Sequence, residues 1–188
     1  MSISVYFRRI AKLLQLALLV AVLISSFAPG VSAKEPPDLL AVIKGALPDS
    51  VSLDNRVTYV DFWASWCLPC KQSFPWMQQL YEKYHKQGLN LIAICVDKDH
   101  STALKFLEES KATFTVLFDS TGSIAKQYKL KAMPASYLYD SDGHLVLSKK
   151  GFRKEETDHV EAKVSQLLLA INKKNKLKDI PSTSKGSK

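Results

Sequence analysis

Cys67-Leu68-Pro69-Cys70 stands where a run of strand-forming residues gives way to a helical pattern. Upstream, Val57 to Phe62 (Val-Thr-Tyr-Val-Asp-Phe) is rich in β-formers and predicts a buried strand. Downstream, Phe74, Met77, Tyr81 and Tyr84 recur at helical spacing, with Pro75 inside the pattern to kink it and Gly88 to end it. If Cys67 is the helix N-cap, Cys70 falls one turn on, and both sulfurs lie at the same end of the helix. The unpaired N–H groups and positive dipole of that end stabilise a thiolate at Cys67 and lower its pKa. Such a thiolate attacks a disulfide sulfur, and a second thiol within reach resolves the mixed disulfide. Pro69 fits the first turn, where its missing N–H leaves no bond unmade. Two other uses of the pair stay open on pattern alone. A structural disulfide closing so short a loop constrains little. A zinc site needs further ligands, and the four histidines (His85, His100, His144, His159) have no paired spacing. No metal and no cofactor are expected.

The rest of the chain alternates in the same way. A short helix over Leu39 to Leu47 follows the break at Glu35-Pro36-Pro37-Asp38. Leu89 to Val96 is a second apolar strand. Ser101 to Lys111 is a helix with Ser101 as its N-cap and Leu104, Phe106 and Leu107 to bury. Phe114 to Phe118 is a strand and Ser123 to Tyr128 a short helix. Ala135 to Tyr139 and Leu145 to Ser148 flank the hairpin signal Ser141-Asp142-Gly143. Glu155 to Ile171 closes the pattern as an amphipathic helix, with Val160, Val164, Leu167, Leu168 and Ile171 on one face. Strands alternating with helices and ending on a hairpin give an α/β domain with a mixed central sheet.

Composition is globular, with 46% hydrophobic and 23% charged residues over 188 positions. The net charge of +8 suggests a nucleic-acid or anionic-membrane partner until its location is traced. Residues 34–171 carry 17 basic and 17 acidic side chains, so the globular part is neutral. The excess belongs to the ends, and no nucleic-acid partner is expected. Residues 1–33 read as a secretory signal peptide. Arg8, Arg9 and Lys12 precede an apolar run from Leu13 to Ile24, and Val31-Ser32-Ala33 supplies a cleavage site. An uncut signal serving as a membrane anchor is the alternative. Residues 34–50 form a lead-in to the domain at 51–171, and 172–188 read as a disordered lysine-rich tail.

The segment Val60-Asp61-Phe62-Trp63-Ala64-Ser65-Trp66-Cys67-Leu68-Pro69-Cys70-Lys71, with Pro75 beyond it, closely resembles the active-site segment of thioredoxin. Ala132-Met133-Pro134 resembles the cis-proline loop of that family, which faces the disulfide. The stretch from Asp97 to Pro134 is long enough for one more helix and strand than plain thioredoxin has. With Ser65 and the export signal, this points to the TlpA-like branch of extracytoplasmic thiol–disulfide oxidoreductases. The resemblance implies a thioredoxin fold with a TlpA-like helix-plus-strand insertion. It makes Cys67 and Cys70 the redox-active pair, as nucleophile and resolving thiol. It makes Asp61 the buried acid that passes a proton to and from Cys70, with a pKa raised by burial. Trp66, Leu68, Pro69, Met133 and Pro134 would meet the substrate.

Three departures from the family pattern stand out. The branch often carries Asn where this chain has Asp61. The lysine that partners thioredoxin's acid has no counterpart in Leu89 to Val96, leaving Asp97, Lys98 and Asp99 as substitutes. Ala135 replaces the usual Thr after the cis-proline. Cys95, within Ile94-Cys95-Val96, reads as a core residue. Tyr128, Trp76 and Phe152 read as packing.

The resulting expectation is a monomeric periplasmic reductase of protein disulfides. By resemblance, a membrane transporter of reducing equivalents supplies its electrons, and apocytochrome c or a metalloprotein is its target. The competing expectations are a disulfide-forming oxidant or isomerase, and a copper- or haem-handling chaperone that binds through the two cysteines.

Overall fold

Two strands, β1 (Val57–Trp63) and β2 (Leu89–Cys95), are buried at every position, which places them in the middle of a sheet covered on both faces. The structure is a computed structural model describing residues 38–178; the signal read at 1–33 and the last part of the tail, 179–188, lie outside the described residues. Helix α1 (Leu39–Lys44) precedes β1, helix α2 (Leu68–Tyr84) joins β1 to β2, and α3 (His100–Ser110) leads to β3 (Thr115–Phe118). Helix α4 (Ser123–Gln127), the hairpin of β4 (Ala135–Tyr139) and β5 (Leu145–Lys150), and α5 (Thr157–Lys178) complete the order.

The sheet runs β3-β2-β1-β4-β5. β1, β2 and β3 are parallel, whereas β4 and β5 are antiparallel to their neighbours, so the sheet is mixed as the pattern implies. The additional helix and strand between Asp97 and Pro134 are α3 and β3, and β3 forms one edge of the sheet.

Alternation along the strands splits the core into two layers. Tyr59 and Trp63 of β1 pack with Phe74, Met77 and Leu80 of α2 and with Val160, Val164, Leu168 and Ile171 of α5. Val60 and Phe62 face the opposite layer, where Leu39, Leu40 and Ile43 of α1 meet Tyr128 and Tyr139. The lead-in segment thus closes the second face of the core. Gly88, at φ 113°, ends the turn after α2, and a side chain there would also meet Leu168. Cys95, Trp76, Phe152 and Tyr128 all pack as read: Cys95 is fully buried and free, Trp76 and Phe152 meet ring to ring, and the Tyr128 hydroxyl bonds that of Tyr139.

Three local readings are corrected. Asp99, not Ser101, caps α3, because its carboxylate accepts the Ser101 N–H at 3.0 Å while the Ser101 hydroxyl merely donates to the other carboxylate oxygen. Leu104 is 54% exposed rather than buried, since α3 turns only Ala103 fully inward and leans Phe106 and Leu107 on the core. The last helix continues through Lys178, past the Ile171 limit that apolar periodicity sets, so residues 172–178 are helical and not part of a disordered tail; Lys174 there bonds Asp142 of the β4–β5 turn at 3.0 Å. Asp99→Ala is expected to lower the urea midpoint, and Ser101→Ala to lower it by less. Equal losses would show that the two side chains share the cap.

Candidate active site

Three chain segments meet at one end of the sheet because of its topology. β1 and β2 run parallel, so the loops after Trp63 and Cys95, which are paired in register, leave side by side. β4 is antiparallel and begins opposite Phe62, which brings the Met133–Pro134 segment to the same end. The Met133–Pro134 peptide is cis. The Pro134 carbonyl accepts the Gly151 N–H at 2.8 Å.

Cys67 caps α2 with extended backbone, its Sγ accepting the Cys70 N–H at 3.3 Å, and Pro69 lies in the first turn. The helix continues through Pro75. The two cysteines form a disulfide with Sγ–Sγ 2.02 Å and Cα–Cα 5.3 Å. The sulfurs are not equivalent: Cys67 keeps 7% exposure and Cys70 none. Beside Cys67 stand Trp66 and Leu68, 70% and 66% exposed, which form an apolar rim. Met133 packs against the core cluster that contains both cysteines.

Asp61 lies on the same face of β1 as Tyr59 and Trp63, and so in the core layer that holds Cys70. It is 1% exposed. Burial pushes its pKa up to about 7, against the ordinary 3.8, and a hydrogen bond from Ser136 opposes the rise. That bond runs from Ser136 Oγ to Asp61 Oδ1 at 2.6 Å, while Oδ2 has no partner among the described residues. The Tyr59 phenol, also buried, is pushed well above its usual range by desolvation and by the charge of Asp61.

Asp97 does not partner Asp61. Its Oδ2 instead accepts the backbone N–H of Ser65 at 2.9 Å, pinning the turn that leads into Trp66 and Cys67. Val96 N–H bonds Trp63 carbonyl at 3.0 Å beside it. Asp97 and Ser136 are the two site residues whose roles the sequence reading did not find. Neither lies in the cysteine motif, and only the strand register brings them there. An acid just past the second buried strand was a usable signal for Asp97; nothing local marked Ser136. No group of three or more His, Cys, Asp and Glu side chains suited to a metal ion occurs among the described residues.

A family model described as the AhpC/TSA family matches residues 46–148, more than half of the chain. The chain belongs to the AhpC/TSA family. Within the thioredoxin superfamily that this family shares, the chain is 30% identical to the thiol-disulfide oxidoreductase ResA of Bacillus thuringiensis over 124 residues, 65% of this chain and 72% of that protein. ResA of Oceanobacillus iheyensis is 33% identical over 93 residues, half of this chain and 48% of that protein. Among solved structures, a thiol:disulfide interchange protein DsbE from Chlorobium tepidum is 41% identical, with a TM-score of 0.60 over 62% of this chain and 82% of that one. StoA from Bacillus subtilis is 25% identical, with a TM-score of 0.51 over 58% of this chain and 82% of that one. The matched span of the AhpC/TSA model includes β1, the cysteine pair, the cis-proline loop and β4. With a thioredoxin-like fold and relatives of that name over the same span, the chain is a thiol–disulfide oxidoreductase.

Proposed function

We propose that this protein is an exported reductase of protein disulfides. The observation that carries the reading is the unequal cysteine pair at the N-terminus of α2, Cys67 keeping 7% exposure beside the exposed Trp66 and Leu68 and Cys70 keeping none. Cys67, the reachable sulfur, is the nucleophile, and the N–H groups of the first turn stabilise its thiolate in the reduced protein. It attacks the target disulfide to form a Cys67–target bond and expels one target thiolate. Cys70 then gives its proton to Asp61 and attacks the Cys67 sulfur. The Cys67–Cys70 disulfide forms, and the second target thiolate leaves. Two electrons pass from the dithiol to the target.

Trp66, Leu68, Pro69 and Met133 receive the target segment, and the residue before Pro134 offers it backbone hydrogen bonds in the manner of an added strand. The signal read at 1–33 supports a periplasmic location, with anchoring to the membrane if it stays uncut. A membrane electron donor returns the disulfide to the dithiol. The targets are protein disulfides of the kind met in cytochrome c or metalloprotein maturation, and the working form is a monomer. Leu-Pro between the cysteines provides no polar side chain to give the reduced pair unusual stability, which favours the reducing direction over the oxidising one.

Equilibration of the Cys67–Cys70 pair against glutathione is expected to give a reduction potential of about −270 mV, in the thioredoxin range. A value near the roughly −120 mV of a strong oxidant would reverse the assigned direction.

A further inference from the structure

Ser136 is two residues beyond the cis-proline and is the β4 register partner of Asp61. Its side chain is 6% exposed and is spent on a single hydrogen bond, the one to Asp61 Oδ1. Among the described residues no cation pairs with Asp61. β2 presents Ala93 opposite it, its own strand presents the Tyr59 phenol, and α2 presents the buried Cys70 with Phe74 and Met77. Behind Ser136, on β5, stands its register partner Lys149, which is already ion-paired to Glu156; Arg153 bonds the same carboxylate.

Ser136 has a second position to exploit. It lines a cavity of about 10 Å³ together with Tyr59, Trp76, Lys149 and Glu156. That is room for one water. Polar and apolar side chains share the cavity wall, and Trp76, which lines it, has an indole N–H that is buried without a partner among the described residues. Ser136 therefore touches Asp61 on one side and a path toward the surface charges on the other.

We propose that Ser136 is the positioning residue of this centre: its hydroxyl holds Asp61 as the carboxylate that accepts the Cys70 proton, and the cavity it lines lets that proton leave. The inference rests on the acid–base reading of Asp61. A hydroxyl that donates to a carboxylate favours the charged form over the protonated one, and here it is the one interaction set against complete burial. When Cys70 has passed its proton to Asp61, the acid donates to Ser136 Oγ. Ser136 then turns its own hydrogen to a water in the cavity, and the proton reaches solvent. No electron moves in this part of the cycle.

The test compares the wild type with Ser136→Ala, Ser136→Thr and Asp61→Asn, following the rate of disulfide reduction from pH 5 to 9. In parallel, the infrared carboxyl band of Asp61 is titrated in the disulfide form, with Asp61→Asn as the blank, so that one readout needs no turnover. Ser136→Ala is expected to move the acid limb of the rate profile and the Asp61 titration upward together by about one pH unit, slowing reduction at pH 7 about fivefold. Ser136→Thr keeps a hydroxyl and brings both back toward the wild type. If Ser136→Ala leaves both curves in place while Asp61→Asn removes the limb, Ser136 has no such role and the reading of Asp61 stands. If the limb persists in Asp61→Asn, the acid–base reading itself fails and takes this inference with it.

Discussion

Cys67→Ser is expected to reduce disulfide exchange by this protein to the uncatalysed background, whereas Cys70→Ala is expected to keep the first attack and stop after it. The two outcomes differ because the two sulfurs differ in access and in setting. Cys67 is the helix cap and keeps 7% exposure against none for Cys70, so in the proposed mechanism its thiolate is the one that reaches a protein disulfide. A serine hydroxyl at the same position still caps the helix, so the loss reports chemistry and not folding. Cys70 is fully buried and cannot meet a protein target, but it lies within bonding distance of Cys67. Without it the Cys67–target bond has no internal thiol to break it. Incubating Cys70→Ala with periplasmic extract and separating the products without reductant should yield Cys67-linked adducts, which Cys67→Ser lacks. Full turnover by Cys67→Ser would remove the nucleophile assignment, and adducts through Cys95 are not expected, since that thiol is fully buried with its pKa pushed up to about 12 by desolvation.

The parts of the fold set by local periodicity were legible in the sequence. β1 and β2 show as apolar runs because both faces are covered, and α2 shows because its buried residues recur at helical spacing. The cysteine pair was legible because a cap, a first turn and two sulfurs share one short segment. What escaped depends on distance in the chain. Ser136 matters only because β4 pairs antiparallel with β1, and Asp97 only because β2 ends beside the turn before Cys67. The same limit explains Leu104: its spacing suits an amphipathic face, but the core offers α3 a narrow seat, filled by Ala103, Phe106 and Leu107. At α3 the cap is Asp99, two residues before the Ser101 that the sequence suggested, because its carboxylate accepts the Ser101 N–H. Charge gave the opposite lesson. The +8 of the full chain lies outside the neutral segment from 34 to 171, which contains the whole candidate site.

Asp61→Asn is expected to stabilise the disulfide form at pH 8.5 by an amount on the order of 4 kcal/mol, and to leave it nearly unchanged at pH 4. The sign follows from where the acid titrates. In the unfolded chain Asp61 ionises near 3.8, and in the fold burial holds it to about 7. Below pH 4 both states carry the proton, so the acid imposes no ionisation cost on folding. Between about pH 4 and 7 the unfolded chain releases the proton while the folded protein keeps it, so stability falls as pH rises. Above 7 the fold must carry a buried carboxylate with a single hydrogen bond, and the whole deficit is present. Asparagine has the same shape and no charge, so the slope between pH 4 and 7 should vanish. Urea unfolding of oxidised protein across that range separates this from thiol titration, and a gain of this size moves the midpoint by about 2 M. In the proposed mechanism that cost has a use: the same burial that weakens the fold brings Asp61 into the range where it can take a proton from Cys70 and return it. Parallel pH profiles for the two proteins would place the Asp61 titration at its ordinary value and leave Cys70 without its base.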